Sequence, residues 1–237
     1  MKRGVQGREK KWLSARGLLT KVRSVFEKVK DKRNDNRGIK QSISTSDALM
    51  SAVAMFSLKC PSLLAFDQAI KDPTINHNLK SLYFVKQAPS DTYMRELLDE
   101  VAPSSIRGAF TGVFEAAQRG KLLSQYAFLD GFLLVVDGTG FFESKNVQCS
   151  NCCVKNHRDG SVTHYHQALT AAIVNPDMSQ VIPLCPEMIN KQDGAEKNDC
   201  ERRALSRFLG NLKTEHPRLK LTIAYDALAA NAPTINE

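Results

Sequence analysis

Hydrophobic positions recur along this chain with two different periods, and the change from one to the other falls near residue 128. In the first part Trp12, Leu18, Leu19, Val22, Val25, Phe26 and Val29 return at helical spacing between basic residues. This pattern predicts one amphipathic basic helix, interrupted near the polar stretch 34–38. Polar residues 44–47 can cap a second helix over 48–58, with Pro61 beyond its end. Pro89-Ser90-Asp91-Thr92 marks a third start, ahead of Met94, Leu97 and Leu98. Residues 106–123 continue helically, with Phe110, Val113, Phe114 and Ala117 on one face. All of this reads as a small helical domain.

From Phe128 onward the pattern shortens. Phe132-Leu133-Leu134-Val135-Val136 is wholly apolar and partly β-branched, as expected of a strand covered on both faces. Residues 163–174 and 180–183 are predicted as further strands. Residues 198–212 form an amphipathic helix with Ala204, Leu205, Phe208, Leu209 and Leu212 as its stripe. Leu219, Leu221, Ile223 and Tyr225 then alternate, giving a strand that ends at Asp226. Strands, a helix and another strand make an α/β layer.

Charge sharpens the division. Residues 1–40 hold 14 Lys or Arg against 4 Asp or Glu, a net of +10, so the net +8 of the whole chain leaves −2 for the remainder. A basic arm of this kind attracts phosphate backbones through counterion release, although a solvated tail would have the same composition. The apolar run over 48–58 has eleven residues, well short of the roughly 20 a membrane helix needs. No apolar core follows the basic N-terminus, so a secretory leader is not expected. A cytoplasmic, reducing location is expected instead, where six cysteines read as thiols or metal ligands rather than a disulfide framework.

Two aspartates carry the candidate chemistry. Val135-Val136-Asp137-Gly138 and Ala224-Tyr225-Asp226-Ala227 are both apolar runs leading into an aspartate and a small residue. On neighbouring strands, both carboxylates would project into one cavity. Mg²⁺ takes oxygen ligands, usually one or two protein carboxylates per ion. Two such ions about 3.5–4 Å apart can drive an in-line phosphoryl displacement. Each aspartate has a plainer reading as well. Asp137-Gly138 is a common hairpin turn, and Asp226 could cap a following helix.

The ordered set of segments resembles bacterial insertion-sequence DDE transposases. It comprises Pro89-Ser90-Asp91-Thr92-Tyr93-Met94-Arg95, Leu134-Val135-Val136-Asp137-Gly138-Thr139-Gly140-Phe141-Phe142, Pro186-Glu187, Lys197-Asn198-Asp199-Cys200-Glu201-Arg202 and Ile223-Ala224-Tyr225-Asp226-Ala227-Leu228. The likeness covers most of residues 45–237. It implies a basic arm over 1–40, partly helical or disordered, and a helical DNA-binding domain over 41–128. The N-terminal part of an RNase H-like catalytic domain, a mixed sheet with flanking helices, would occupy 129–237. It further implies that Asp137 and Asp226 are catalytic and bind Mg²⁺ or Mn²⁺, that the partners are transposon-end and target DNA, and that the protein can form homo-oligomers. The chain departs from the family in one respect. The third acid is expected well beyond Asp226, and a Tyr-x-x-Arg-x-x-x-Glu signature is absent. The expectation is therefore a truncated transposase, with a non-catalytic DNA-binding remnant or an inert truncated product as alternatives. Glu201 could stand in for the missing acid, but Asn198 three residues earlier makes a capping box the competing role.

One cluster lies outside that scheme. Cys149-x-x-Cys152 has metal-knuckle spacing, and His164 and His166 would share a strand face. Two thiolates and two imidazoles suit tetrahedral zinc, pinning the loop after the first strand. Reduced buried cysteines beside surface histidines are the alternative.

Overall fold

The computed structural model describes residues 11–31, 33, 43–190 and 200–226. The chain divides into two compact units, Met1–Lys121 and Leu122–Glu237. The architecture is mixed α/β: a helical region followed by a sheet domain flanked by helices. Among the described residues no helix is long and apolar enough to cross a membrane.

The first unit contains α1 (Ala15–Phe26), α2 (Thr45–Ser57), α3 (Leu63–Ala69), α4 (Pro73–Ser81), α5 (Asp91–Asp99) and α6 (Arg107–Arg119). Side-chain caps set several of the starts. The Ser14, Ser44 and Ser62 hydroxyls accept from amides one turn on, and Asp72 accepts from Thr74 and Ile75 ahead of Pro73. Ser90 stands at the N-cap of α5 as its sequence suggests, but its side chain makes no capping bond. The long helix expected over 106–123 ends at Arg119. There Gly120 and the left-handed Lys121 (φ 59°) break it before a 3₁₀ turn at Leu122–Tyr126. The core joins Phe26, Met50, Phe66, Leu79 and Met94, among others.

Part of the N-terminal positive charge is used inside this unit. Arg23 Nη1 meets the buried Asp47 carboxylate at 2.6 Å, and Arg16 Nη1 donates to the Ser81 carbonyl at 2.6 Å. Arg33 bridges Asp31, Tyr93 and the Ile43 carbonyl. Residues 1–10 and 34–42 of the proposed arm and linker, which include most of its expected break, lie outside the described residues.

The second unit is a sheet built on β2 (Gly131–Ser144) and β4 (Val162–Val174), long antiparallel partners. The far edge of β4 is lined in turn by β3 (Cys153–Asn156), β6 (Glu187–Ile189) and β5 (Ile182–Pro183). A short β1 (Ala127–Phe128) turns back onto the start of β2. On the other side of β2 lies β7 (Leu221–Ala224), and this pair is parallel. Helix α7 (Glu201–Glu215) covers one sheet face. It buries Ala204, Leu205, Phe208 and Leu212 on the side where Leu134, Val136, Leu169, Ala171 and Ile173 are also buried. Burial of each large apolar side chain contributes about 1.5–3 kcal/mol, so the stripe fixes where α7 begins. Arg207 adds a lateral pin, with Nε 3.1 Å from Glu187 Oε1 and Nη2 donating to the Met188 carbonyl.

Two sequence expectations change here. Asp137-Gly138 is neither a turn nor a strand end, because β2 runs through both residues to Ser144. The strand can extend this far because β4 pairs with it along its length, with a bulge between Gly140 and Phe142. Helix α7 starts at Glu201 with Cys200 as N-cap and no side-chain capping bond, so Glu201 occupies the first helical position rather than the third. Asn198 lies outside the described residues.

Candidate functional site

The parallel β2–β7 pair determines how the two aspartates stand. Leu133 pairs with Thr222, Leu134 with Ile223 and Val135 with Ala224. Paired residues share a face, and each two-residue step along a strand returns to it. Asp137 stands two residues beyond that last pair within β2, and Asp226 stands two residues beyond Ala224, where β7 ends. Both are exposed. The Asp137 backbone is held from the other side, where Thr170 Oγ1 donates to its carbonyl at 3.1 Å.

A third carboxylate lies over the α7 face of the sheet, the face opposite the Asp137 side chain by alternation along β2. Gly138 faces α7, and a Cβ built on it would lie 2.3 Å from Glu201 Oε1 and 2.6 Å from Glu201 Cδ. The carboxylate occupies the space a side chain at 138 would need. Tyr225 reports the combined field. Burial first, and then the negative charges of Glu201, Asp137 and Asp226, push its phenol up to about 12. Its hydroxyl is shielded from solvent and lies under the influence of Glu201, but no hydrogen bond of full geometry satisfies it. The acids form an open group. Among the described residues their oxygens do not all come within 4.8 Å of one another.

The one set of three metal-binding side chains that meets that limit is Cys149, Cys152 and His166. The Sγ atoms are 3.7 Å apart, and each lies 3.3 Å from His166 Nε2. A tetrahedral ion with Zn–S of about 2.3 Å and Zn–N of about 2.0–2.1 Å needs separations of about 3.8 Å and 3.6 Å. The three atoms thus sit near three corners of such a tetrahedron, and the cluster can coordinate a metal. The local chain explains why. The Ser144 hydroxyl accepts the Asn146 and Val147 amides and turns the chain after β2. The Cys149 amide then donates to Cys152 Sγ at 3.3 Å and tightens the turn that holds both sulfurs. His166 stacks on Phe141 with ring centroids 5.8 Å apart. All six cysteines are free thiols.

His164 does not join this cluster. It pairs with Ser144 and Val154, whereas His166 pairs with Phe142. Neighbours on the same strand face stand two residues apart, about 6.6 Å along the strand. Among the described residues the His164 ring nitrogens do not lie within 4.8 Å of all three ligand atoms of the cluster. Cys153 points to the other face, its buried Sγ donating to the Ile189 carbonyl. By register His166 lies on the Asp137 face, four residues along β4 from Thr170, the partner of Asp137. That separation is about 13 Å.

Glu187 had no assigned role in the sequence. It accepts from Arg207 and Asn211 and so anchors the helix that carries Glu201. The signal was its alternation with the buried Ile189, too short a run to read as a strand. No protein-family model, no curated protein and no solved structure matches this chain.

Proposed function

We propose that this chain belongs to the DNA-processing machinery of a DDE transposase, with its sheet part of an RNase H-like domain. The observation that supports the reading is the parallel β2–β7 register, because Asp137 and Asp226, both exposed, each stand two residues on from its last pair, Val135–Ala224. One carboxylate within β2 and one just after β7 suit Mg²⁺ or Mn²⁺, which retain water and phosphate oxygens in their remaining positions. An ion held there would polarise a scissile phosphate and lower the pKa of an attacking hydroxyl or water. Glu201, seated over Gly138 on the α7 face, has no assigned part in holding that ion. The expected partner is duplex DNA, drawn by the basic N-terminal segment, where Lys11, Lys28 and Lys30 are exposed. Zinc is the proposed ion of the Cys149–Cys152–His166 centre, because two thiolates and an imidazole favour a soft tetrahedral ion over Mg²⁺. Less than about half an equivalent of zinc in protein purified without chelator would end that assignment.

The functional test is binding and cleavage of linear duplex DNA by the full chain. Salt-sensitive binding with Mg²⁺-dependent nicking that disappears in Asp137→Ala is the expected result. Binding without nicking would favour the non-catalytic DNA-binding alternative. Failure to bind DNA at low salt would overturn both.

A further inference from the structure

The Cys149–Cys152–His166 centre supplies three ligands, and a tetrahedral ion needs four. We propose that zinc held there keeps its fourth position open and takes an exogenous monodentate ligand of the thiol or imidazole class. This rests on the zinc reading given above and goes beyond it, since a purely structural site closes all four positions with protein.

The chain's own inventory limits what could close the site. Every cysteine and histidine in the sequence falls among the described residues. None beyond these three brings a ligand atom within 4.8 Å of the other members. Each remaining soft donor in the sheet unit has its own place. Cys153 and Cys185 donate to backbone carbonyls at Ile189 and Pro186, and His157 Nε2 lies 2.8 Å from Thr163 Oγ1. Cys200 stands at the N-cap position of α7 with an exposed thiol that makes no capping bond, and His216 stands at the C-cap position. His164 stands one same-face step further along β4. The segments outside the described residues hold carboxylates but no cysteine or histidine.

The surroundings leave the position accessible. Cys149 is exposed and His166 half-buried, while Cys152 closes the inner side. A cavity of about 720 Å³ borders His166 on a side away from the two thiols, with Phe141, Phe142, Glu143, Lys155 and Tyr165 in its lining. With two thiolates the zinc is formally neutral. A neutral imidazole, or a thiol that loses its proton on binding, then completes a soft ligand set without a hard anion.

Replacing zinc with Co²⁺ in the full-length chain makes the coordination visible. Thiolate-to-cobalt charge-transfer bands report Cys149 and Cys152, and the visible d–d bands report the number and type of ligands. Titration with imidazole, and separately with 2-mercaptoethanol, should change the d–d envelope saturably with 1:1 stoichiometry while the charge-transfer bands persist. A Co²⁺ protein with these charge-transfer bands and an unchanged d–d envelope at saturating imidazole and thiol would overturn the open position, and would mean that a carboxylate of the chain closes it. Absence of the charge-transfer bands would overturn the zinc reading itself, and the open position with it. Cys149→Ser, expected to weaken these bands by removing one of the two thiolates, ties the signal to this centre.

Discussion

Replacing Gly138 with alanine tests whether Glu201 is held where the fold places it. A Cβ there would stand 2.3 Å from Glu201 Oε1, 2.6 Å from Cδ and 3.2 Å from Cγ. Ordinary contact begins near 3.4 Å, so the carboxylate must retreat by about 1 Å. The obstacle is the end of a flexible side chain at the first position of α7, which can swing towards solvent. Overpacking costs about 1–3 kcal/mol when the core cannot yield. Here the lower end applies. The substitution also restricts the unfolded chain, which returns about 0.4–1 kcal/mol because Gly138 does not use a positive φ. The expected net loss is about 1 kcal/mol or less, a fall of a few degrees in Tm. The larger effect should be on Tyr225. Glu201 is the first of the charges that raise its phenol, so displacing it should lower the Tyr225 midpoint from about 12. Ultraviolet tyrosine titration against a Tyr225→Phe background reads that midpoint, and thermal melting reads the stability. A loss of more than about 3 kcal/mol with an unmoved Tyr225 midpoint would refute the reasoning. The strain would then lie in the backbone and not in Glu201.

Two further outcomes follow from the same contacts. Glu187→Ala leaves the Arg207 guanidinium without its carboxylate and Asn211 without its acceptor. Since Arg207 is 30% exposed, the expected cost is about 1–2 kcal/mol, read as a lower urea midpoint, and Glu187→Gln should recover part of it. Tyr225 also makes stability depend on pH. Its folded value lies above its ordinary 10.0, so the unfolded chain ionises first. Its contribution is intact below pH 10 and is lost as pH rises towards about 12. Urea unfolding across that window should fall more steeply in the native chain than in Tyr225→Phe, and parallel slopes would contradict the assignment.

The elements with a strong period were legible in the sequence. The helix expected over 48–58 is α2 at Thr45–Ser57, and the strand expected over 163–174 is β4 at Val162–Val174. Short elements were not. Helices α3 and α4 have seven and nine residues, too few turns to show an apolar stripe. Ser62 and the Asp72-Pro73 pair nonetheless mark their starts. Strand β3, Cys153–Asn156, has only four residues, too few to show an alternation. Asp159-Gly160, with Gly160 at φ 81°, was the turn signal that pairs β3 with β4. At the candidate site the type and order of the residues were readable, but their faces were not. His164 and His166 alternate identically in sequence, and only the turn at Cys149–Cys152 and the β2 bulge decide that His166 meets the thiols. Glu201 read as a capping residue because its sequence shows an Asn three positions earlier. The packing of Phe208 and Leu205 instead sets the described start of α7 so that Glu201 reaches Gly138.

The most direct test of the carboxylate pair is Mn²⁺ binding by the full-length chain, followed by electron paramagnetic resonance with Mg²⁺ as competitor. The account predicts saturable binding that Mg²⁺ displaces and that either Asp137→Asn or Asp226→Asn weakens by at least about tenfold. Equal Mn²⁺ affinity in the native chain and both variants, or no binding by the native chain, would contradict it.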